Sequence, residues 1–578
     1  MSATDYPDGI FLADFEFHPT GGREGNLPTP VCLVVRAWPS EATQRYWQPD
    51  LLQMKTAPFP TGAGALFVAY YASAEMECFT ALGWPHPINL LDLFAEFRCL
   101  TNGPRLPHGD GLLGALIHLG LPHIGGEVKD TMRDLILAGG PWSDAEQVAI
   151  LDYCESDVVA LAQILDVLQG RIDWPRALLR GRYMKALTQV QTNGIPIDME
   201  VFSLLKDRWL SIQDQLIADI DADYGVYDGR TFKARRWEEY LIAHQIPWPR
   251  LESGALNLSD DVFKEMSRSH PRVSPIRELR AALSGMRLSD LQVGDDGRNR
   301  CLLSPFRSIT GRNQPSTSKF IFGPSAWLRG LICPQPDHGL AYVDWSQQEF
   351  GIAAALSGDV TMMSAYSSGD PYLAFAIQAG AVPVTATKKS HESERNLFKA
   401  CVLAVQYGMG EASLALRIGQ PVARARQLLE LHRRVYRQFW KWSDAAVDEA
   451  LLGGKLWTGF GWQIHTKNDP NPRSIRNFPM QAGGAEMMRI ATILLIESGI
   501  RVCAPVHDAV LIEAPLDELD ATVEKTQMFM RKASSIVLGG FELGSDVAVA
   551  RYPDRYADAR GAVMWAKVMR LLEQPKIL

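Results

Sequence analysis

At 578 residues the chain is too long for one hydrophobic core, and roughly two to four domains are expected. Apolar residues make up 47% and charged residues 21%, the balance of a soluble globular protein; no run of about 18 apolar residues exists to cross a bilayer. A formal net charge of −8 gives no overall attraction to a polyanion, so a nucleic acid would have to be held by a local basic surface against an acidic background.

The 8 cysteines are scattered and no two have Cys-x-x-Cys spacing, which argues against a structural zinc site and a secreted disulfide framework. The first residues are acidic rather than basic-then-apolar, so no signal peptide is expected and a cytoplasmic location is. Neither a repeat nor a low-complexity segment stands out.

Residues 9–17, Gly-Ile-Phe-Leu-Ala-Asp-Phe-Glu-Phe, alternate as a strand does, which sets Asp14 and Glu16 on one face. A second apolar run at 66–71 precedes Ser73-Ala74-Glu75. Far downstream, Ser143-Asp144-Ala145-Glu146 predicts a capping box that opens a long amphipathic helix, on which Tyr153 and Asp157 are four apart and share a face. Acids from separate segments can hold a metal pair that activates water against a phosphodiester. Any one of them alone is more often a solvated surface charge.

Together they resemble the 3′–5′ exonuclease domain of the DnaQ-like, ribonuclease-H-fold group. Asp14 and Glu16 match its first motif, and Tyr153 with Asp157 its third. Its second motif usually has Asn, three residues, then Phe-Asp; here Tyr71 stands at the Asn and Glu75 at the Asp. The resemblance implies a catalytic set of Asp14, Glu16, Glu75, Tyr153 and Asp157, with two Mg²⁺ ions held by the four acids. The bland alternative is that Glu75 faces solvent and the domain is an inactive scaffold.

Pro175–Asn193 predicts a helix stopped by Gly194 and Pro196, and residues 199–224 predict another. Segment 225–300 reads as charged and loop-rich, with Lys233-Ala234-Arg235-Arg236 and basic residues from Arg277 to Arg287.

The apolar run Leu340-Ala341-Tyr342-Val343 ends at Asp344, a carboxylate at a strand end. Arg395, Lys399, Leu403 and Tyr407 recur every four residues and form one stripe of a helix: two cations, an apolar residue and an aromatic. Arg offers a fork and Lys a point charge to a triphosphate. Standing alone, Arg395 and Lys399 would read as a surface pair and Leu403 and Tyr407 as core. Segment 421–441 interleaves Arg424, Arg426, Arg433, Arg434, Arg437 and Lys441 with Tyr436, Phe439 and Trp440, and Trp442 follows. It could track a single strand by charge and stacking, or be an amphipathic helix with a cationic outer face. Asn477 and Gln481 carry amides before an apolar helix closed by Gly499. His507-Asp508 lies between the apolar stretches Val502–Val506 and Val510–Ile512, which predicts a tight hairpin.

In order and spacing these motifs resemble the family A DNA polymerases. Asp344-Trp345-Ser346-Gln347-Gln348-Glu349 stands where that family reads Asp-Tyr-Ser-Gln-Ile-Glu; Arg395, Lys399, Tyr407 and Gly408 match the second motif; His507-Asp508 matches His-Asp-Glu, with Ala509 at the Glu. Thr310-Gly311-Arg312 resembles the Thr-Gly-Arg whose Arg touches the primer–template minor groove, and Asn477 and Gln481 fall in the Asn-x-Pro-Met-Gln segment, where amides can meet the universal minor-groove acceptors. Tyr372 stands where a phosphate-binding His is frequent, and Leu403 where Phe or Tyr is usual.

The resemblance implies an α/β and α+β multidomain chain: a ribonuclease-H-like exonuclease domain at 1–172, then a right-hand polymerase at 173–578, with thumb at about 185–300, palm at about 301–358 and 456–578, and fingers at about 359–455. The charges of the thumb would hold a duplex by its backbone, or simply face solvent. The resemblance further implies template-directed addition of dNTPs to a primer 3′-hydroxyl, with Asp344 and Asp508 bridging two Mg²⁺ ions, for which Mn²⁺ can substitute. Arg395, Lys399, Leu403, Tyr407, Gln347, Glu349 and Tyr372 are then the dNTP-binding residues. Arg312, Asn477, Gln481 and His507 are the DNA-binding residues. The expected partners are primer–template DNA and dNTPs, with no membrane and a monomeric chain of bacterial, plasmid or phage origin. The rivals are a polymerase with an inactive exonuclease scaffold, a single-subunit RNA polymerase, against which Glu349 speaks, and a silent DNA-binding protein, against which Asp344 and Asp508 beside Arg395 and Lys399 speak.

Overall fold

A computed structural model gives the fold over residues 5–19, 25–123, 125–284, 288, 290–323, 325–406, 408–466 and 471–573. The alternation in residues 9–17 becomes β1 (Gly9–Pro19), the centre of a five-stranded mixed sheet. β2 (Pro28–Trp38) and β3 (Thr43–Trp47) continue it antiparallel on one side; β4 (Ala65–Ala69) and β5 (Asn89–Asp92) run parallel to β1 on the other. The register between β1 and β2 slips between Glu16 and Phe17, so the ladder is irregular beside a candidate acid. The long helix Asp144–Leu168 packs across β1 and β2. It begins at the predicted capping box: Ser143 Oγ accepts from the Glu146 N–H at 3.4 Å, and Glu146 accepts from the Ser143 N–H at 2.7 Å.

The helix Trp174–Asn193 carries the chain onward and ends at Gly194, whose φ of 59° is the left-handed stop the sequence predicts. It lies so close to β5 that a Cβ on Gly181 would sit 1.8 Å from the Leu90 carbonyl oxygen. Arg180 on this helix forks onto Glu96 at 2.6 and 2.7 Å, with both side chains buried. The Asn102 side chain donates to the carbonyls of Ile309 and Gln463 at 2.7 and 2.8 Å, and its main-chain carbonyl accepts from the His465 N–H at 2.9 Å. The N-terminal unit is thereby fastened to the body by backbone groups as well as by packing.

Segment 225–300 differs from the loop-rich expectation. It holds the helices Ala234–Ala243, Asp260–Ser269 and Ser274–Ser284. Trp237, Leu241, Phe263, Val273, Ile276 and Leu279, set among the charges, are buried together. Arg280 lays its guanidinium 4.4 and 4.5 Å from the ring centres of Phe232 and Phe263, so one of the cations expected to face DNA or solvent is structural. Arg287 lies outside the described residues.

The second sheet is antiparallel throughout. Its order is Arg501–Val506, Ala509–Pro515, His338–Trp345, Ser545–Arg551. The predicted hairpin forms, with Val506 paired to Ala509 across the His507–Asp508 turn. The helix Gln348–Ser357 follows the 338–345 strand and packs against both the helix Pro472–Glu497 and the helix Glu392–Gln406, which draws the distant motifs together. Arg476 to Gln481 lies inside the helix Pro472–Glu497 rather than before it.

The basic-aromatic segment 421–441 forms parts of two helices, Val422–Val435 and Arg437–Gly453, broken at Tyr436. Tyr436 and Phe439 are buried, and Trp440 donates to His432 Nδ1 at 3.0 Å with the Arg433 guanidinium 3.9 Å from its ring centre. These rings are spent on the core, so the amphipathic-helix reading holds and the strand-tracking one does not. Among the described residues, no helix is long and apolar enough to cross a membrane.

Candidate functional site

Asp344 is the next-to-last residue of the strand His338–Trp345. The Trp345 N–H donates to the Asp508 carbonyl at 3.1 Å, which ties the strand end to the hairpin turn. Within the turn His507 is left-handed, with φ 58°. The two carboxyls therefore meet. Burial, and then the Asp508 charge, push the Asp344 carboxyl up from its ordinary 3.8 to about 7. Its Oδ1 is buried with no hydrogen-bond partner. A pair of carboxyls from a strand end and a tight hairpin turn, one with an orphaned buried oxygen, is a donor set that fits a hard divalent cation.

A third acid stands beside them. Asp546 is paired directly with Asp344 across the strand Ser545–Arg551, and Ser346 Oγ donates to Asp546 Oδ2 at 2.9 Å. Ala509 occupies the opposite flank, paired with Asp344 on the hairpin strand. Asp546 carries no signal in the sequence, because only the strand register brings it to Asp344.

Glu349 lies in the first turn of the helix Gln348–Ser357, half-buried and 4.0 Å from Arg312 Nη2. Burial holds its carboxyl above the ordinary range, with Arg312 pulling the other way. Gln347 caps this helix in a left-handed conformation, φ 44°. Gly484 lets Arg312 and Gln348 approach the helix Pro472–Glu497, since a Cβ there would lie 3.0 Å from Gln348 Oε1 and 3.4 Å from Arg312 Nη2. On that same helix Asn477 and Gln481 are four apart on one face, and the buried Asn477 Oδ1 has no partner. His507 and Arg312 border one cavity beside the turn.

The predicted cationic stripe is real. Arg395 and Lys399 lie on the helix Glu392–Gln406 with their charges 5.4 and 5.5 Å from the ring centre of Tyr372. Arg395 also pairs with Asp370, which caps the helix Pro371–Gln378 by accepting from the Leu373 N–H at 3.2 Å. Two cations, an aromatic and a cap residue thus form one preorganised group. Leu403 is half-buried on the same helix; Tyr407 lies outside the described residues.

In the N-terminal unit, Asp14, Glu16 and Cys154 place their ligand atoms within 4.8 Å of one another. Cys154 Sγ donates to Asp14 at 3.2 Å (carbonyl) and 3.5 Å (Oδ2). Glu75 does not face solvent: it is 4% exposed, its Oε2 has no partner, and burial and then Asp14 hold its carboxyl well above the ordinary range. Asp14 is likewise pushed up to about 8, by burial first and Asp157 second. Tyr153 reaches Asp157 with its hydroxyl. The predicted five therefore converge. Asp157, however, is bound by Lys129, which donates to both carboxylate oxygens at 2.7 and 2.9 Å. With one acid taken by an ammonium and a thiol wedged at Asp14, the cluster as folded does not fit the expected pair of divalent ions. The sequence reading missed both Lys129 and Cys154.

Residues 323–550, which contain Asp344, the Arg395–Lys399 helix and Asp508, match the family model for DNA polymerase family A. Over this stretch the chain is similar to the family A DNA polymerases. Outside it the likeness continues: DNA polymerase I of Chloroflexus aurantiacus is 24% identical over 435 residues, 68% of this chain and 46% of that protein. The DNA polymerase of Mycobacterium phage D29 is 24% identical over 430 residues, 71% of this chain and 69% of that one. The chain thus spans about half the length of the bacterial relative. A solved structure described as the POL domain of Pol1 from M. smegmatis, in complex with DNA primer-template and dNTP, superposes with a TM-score of 0.70 at 18% identity, over 95% of this chain and 96% of that one. The superposition takes in the N-terminal unit as well as the body, so the fold likeness extends over nearly the whole chain.

Proposed function

We propose that the chain is a template-directed DNA polymerase that extends a primer 3′-hydroxyl with dNTPs. The observation that carries this reading is the meeting of Asp344 and Asp508 at the sheet end, with an orphaned Asp344 oxygen, next to a preorganised pair of cations. The relatives named DNA polymerase, and the superposed structure with primer-template and dNTP, support it. The palm is about 301–358 and 456–578, the fingers about 359–455, the thumb about 185–300, and the N-terminal domain 1–172.

Asp344 and Asp508 would hold the divalent ions, Mg²⁺ or Mn²⁺. When bound there, such ions acidify the primer 3′-hydroxyl and neutralise the triphosphate. Arg395 and Lys399 grip the β- and γ-phosphates, held in place by Tyr372 and Asp370. Glu349 fills the space a ribose 2′-hydroxyl would take, with Gln347 beside it; Leu403 lies at the 3′ side of the sugar, and Tyr407 is assigned to the nascent pair. Arg312, Asn477, Gln481 and His507 face the primer–template, where the amide NH2 groups of Asn477 and Gln481 can donate to minor-groove acceptors. A monomer working in a bacterial, plasmid or phage cytoplasm is the setting this implies. Primer extension with dNTPs against NTPs tests the reading: incorporation of dNTPs alone is expected, and absence of any template-dependent product overturns it.

For the N-terminal domain, the Lys129–Asp157 ion pair favours the exonuclease-like scaffold over a working 3′–5′ nuclease in the folded state.

A further inference from the structure

Lys129 is held where a cation is wanted. Its ammonium lies between the two Asp157 oxygens and 5.6 Å from the ring centre of Tyr153, and its charge acts on Asp14 and Glu16 as well. Around it stand four acids, of which Glu75 and Asp157 are buried and Glu75 Oε2 has no partner. Four carboxylates in such a space cannot all be ionised without a compensating positive charge. The chain supplies that charge itself.

The lysine is carried by a largely exposed helix. In the helix Gly126–Leu137 only Ile136 is buried, and Val128 and Leu137 are 53% and 47% exposed. Met132 and Leu135 pack half-buried against the core of the domain beside Ile136, and the ion pair, 17% and 12% exposed, adds to that hold. The same helix carries Arg133, four residues on from Lys129, to the rim of a second cavity lined also by Phe17, Tyr71 and Glu77.

We propose that Lys129 is an internal counter-ion that takes the cation position of this cluster, and that it excludes divalent metal from the N-terminal domain. The inference concerns only the acids of that domain, so it stands or falls separately from the polymerase reading. A lysine ammonium is a single charge with three donors, whereas a divalent ion needs several oxygens at about 2.0–2.6 Å. One position cannot serve both. Removing the ammonium while keeping an apolar stem leaves the acids to bind the metal they otherwise lack room for.

The test counts Mn²⁺ bound to the full chain by electron paramagnetic resonance, in an Asp508→Asn background that weakens the polymerase site. With Lys129 intact, no Mn²⁺ is expected at the N-terminal acids. Lys129→Met should gain a site, with affinity raised on the order of tenfold or more. Lys129→Arg, which keeps the charge, should gain none. Adding Asp14→Asn to Lys129→Met should abolish the gained site, which locates it. A melting scan of each variant checks that it is folded; Met132, Leu135 and Ile136 still anchor the helix to the core. Equal Mn²⁺ binding by the chains with and without Lys129→Met, whether both bind at the N-terminal acids or neither does, overturns the proposal.

Discussion

Asp546 and Asp344 face each other across adjacent antiparallel strands, and the hydroxyl of Ser346 holds Asp546 from the other side at 2.9 Å. The relationship restores an acid that the hairpin lacks. Ala509, on the opposite flank of Asp344, stands where the family has Glu and brings no oxygen. Asp546 supplies one from the neighbouring strand. Asp546→Asn is expected to raise the Mg²⁺ concentration for half-maximal extension by roughly tenfold while leaving the rate at saturating Mg²⁺ largely intact. An unchanged Mg²⁺ titration would show that Asp546 serves only the Ser346 loop.

Asp344→Ala and Asp508→Ala should each lower extension by at least about a hundredfold and leave primer–template affinity within a few-fold. Asp344 lies at a strand end and Asp508 in the turn; of the residues assigned to DNA only His507 shares that turn, while Asn477 and Gln481 lie on the helix Pro472–Glu497. Gel-shift and extension measured on the same preparation separate these effects.

The raised Asp344 carboxyl makes metal-free stability depend on pH. Its value is about 7 in the folded chain against 3.8 ordinarily. Between those values the folded state holds the proton and the unfolded state has lost it, so stability from this group falls as pH rises through the window, and is lowest above 7. In EDTA, Asp344→Asn should therefore melt higher than wild type by a few degrees at pH 8 and much less at about pH 4.5. A gap that does not change with pH counts against the pairing.

Sugar selection should divide between two residues. Glu349→Ala should admit ribonucleotides, because the half-buried carboxylate is removed from the 2′ side. Leu403 has neither donor nor acceptor, so the natural enzyme should discriminate against dideoxynucleotides, and Leu403→Tyr should relax this by supplying a hydroxyl. Competition between ddNTP and dNTP reads the ratio; an unchanged ratio in a folded Leu403→Tyr protein makes Leu403 a packing residue only.

Gly181→Ala should cost about 3 kcal/mol or more, since its Cβ would lie 1.8 Å from the Leu90 carbonyl oxygen and neither backbone can give way cheaply. The melting temperature measures it, and near-wild-type stability would mean that the helix Trp174–Asn193 can shift off β5.

Much of the architecture was legible in the sequence because it rests on local periodicity. The alternation of residues 9–17, the capping box at Ser143 and the spacing of Arg395, Lys399 and Leu403 each became the element they predict. What stayed hidden depends on register or on distance. Asp546 matters only because strands 338–345 and 545–551 pair as they do. Lys129 and Cys154 read as an ordinary surface lysine and a buried thiol until the sheet and two helices bring them to Asp157 and Asp14. The charges of 225–300 masked a small aromatic core, because Trp237 and Phe263 are too widely spaced to form an apolar run.

The Asn102 clamp bears on how the chain can change over evolutionary time. Its side-chain amide and main-chain carbonyl hold Ile309, Gln463 and His465, residues that flank the polymerase motifs, and Arg180 is neutralised by Glu96 across the same boundary. A lineage that deleted the first domain would leave a buried guanidinium without its acid and several carbonyls without donors. The first domain is thus masonry for the rest of the chain, whatever its acids do.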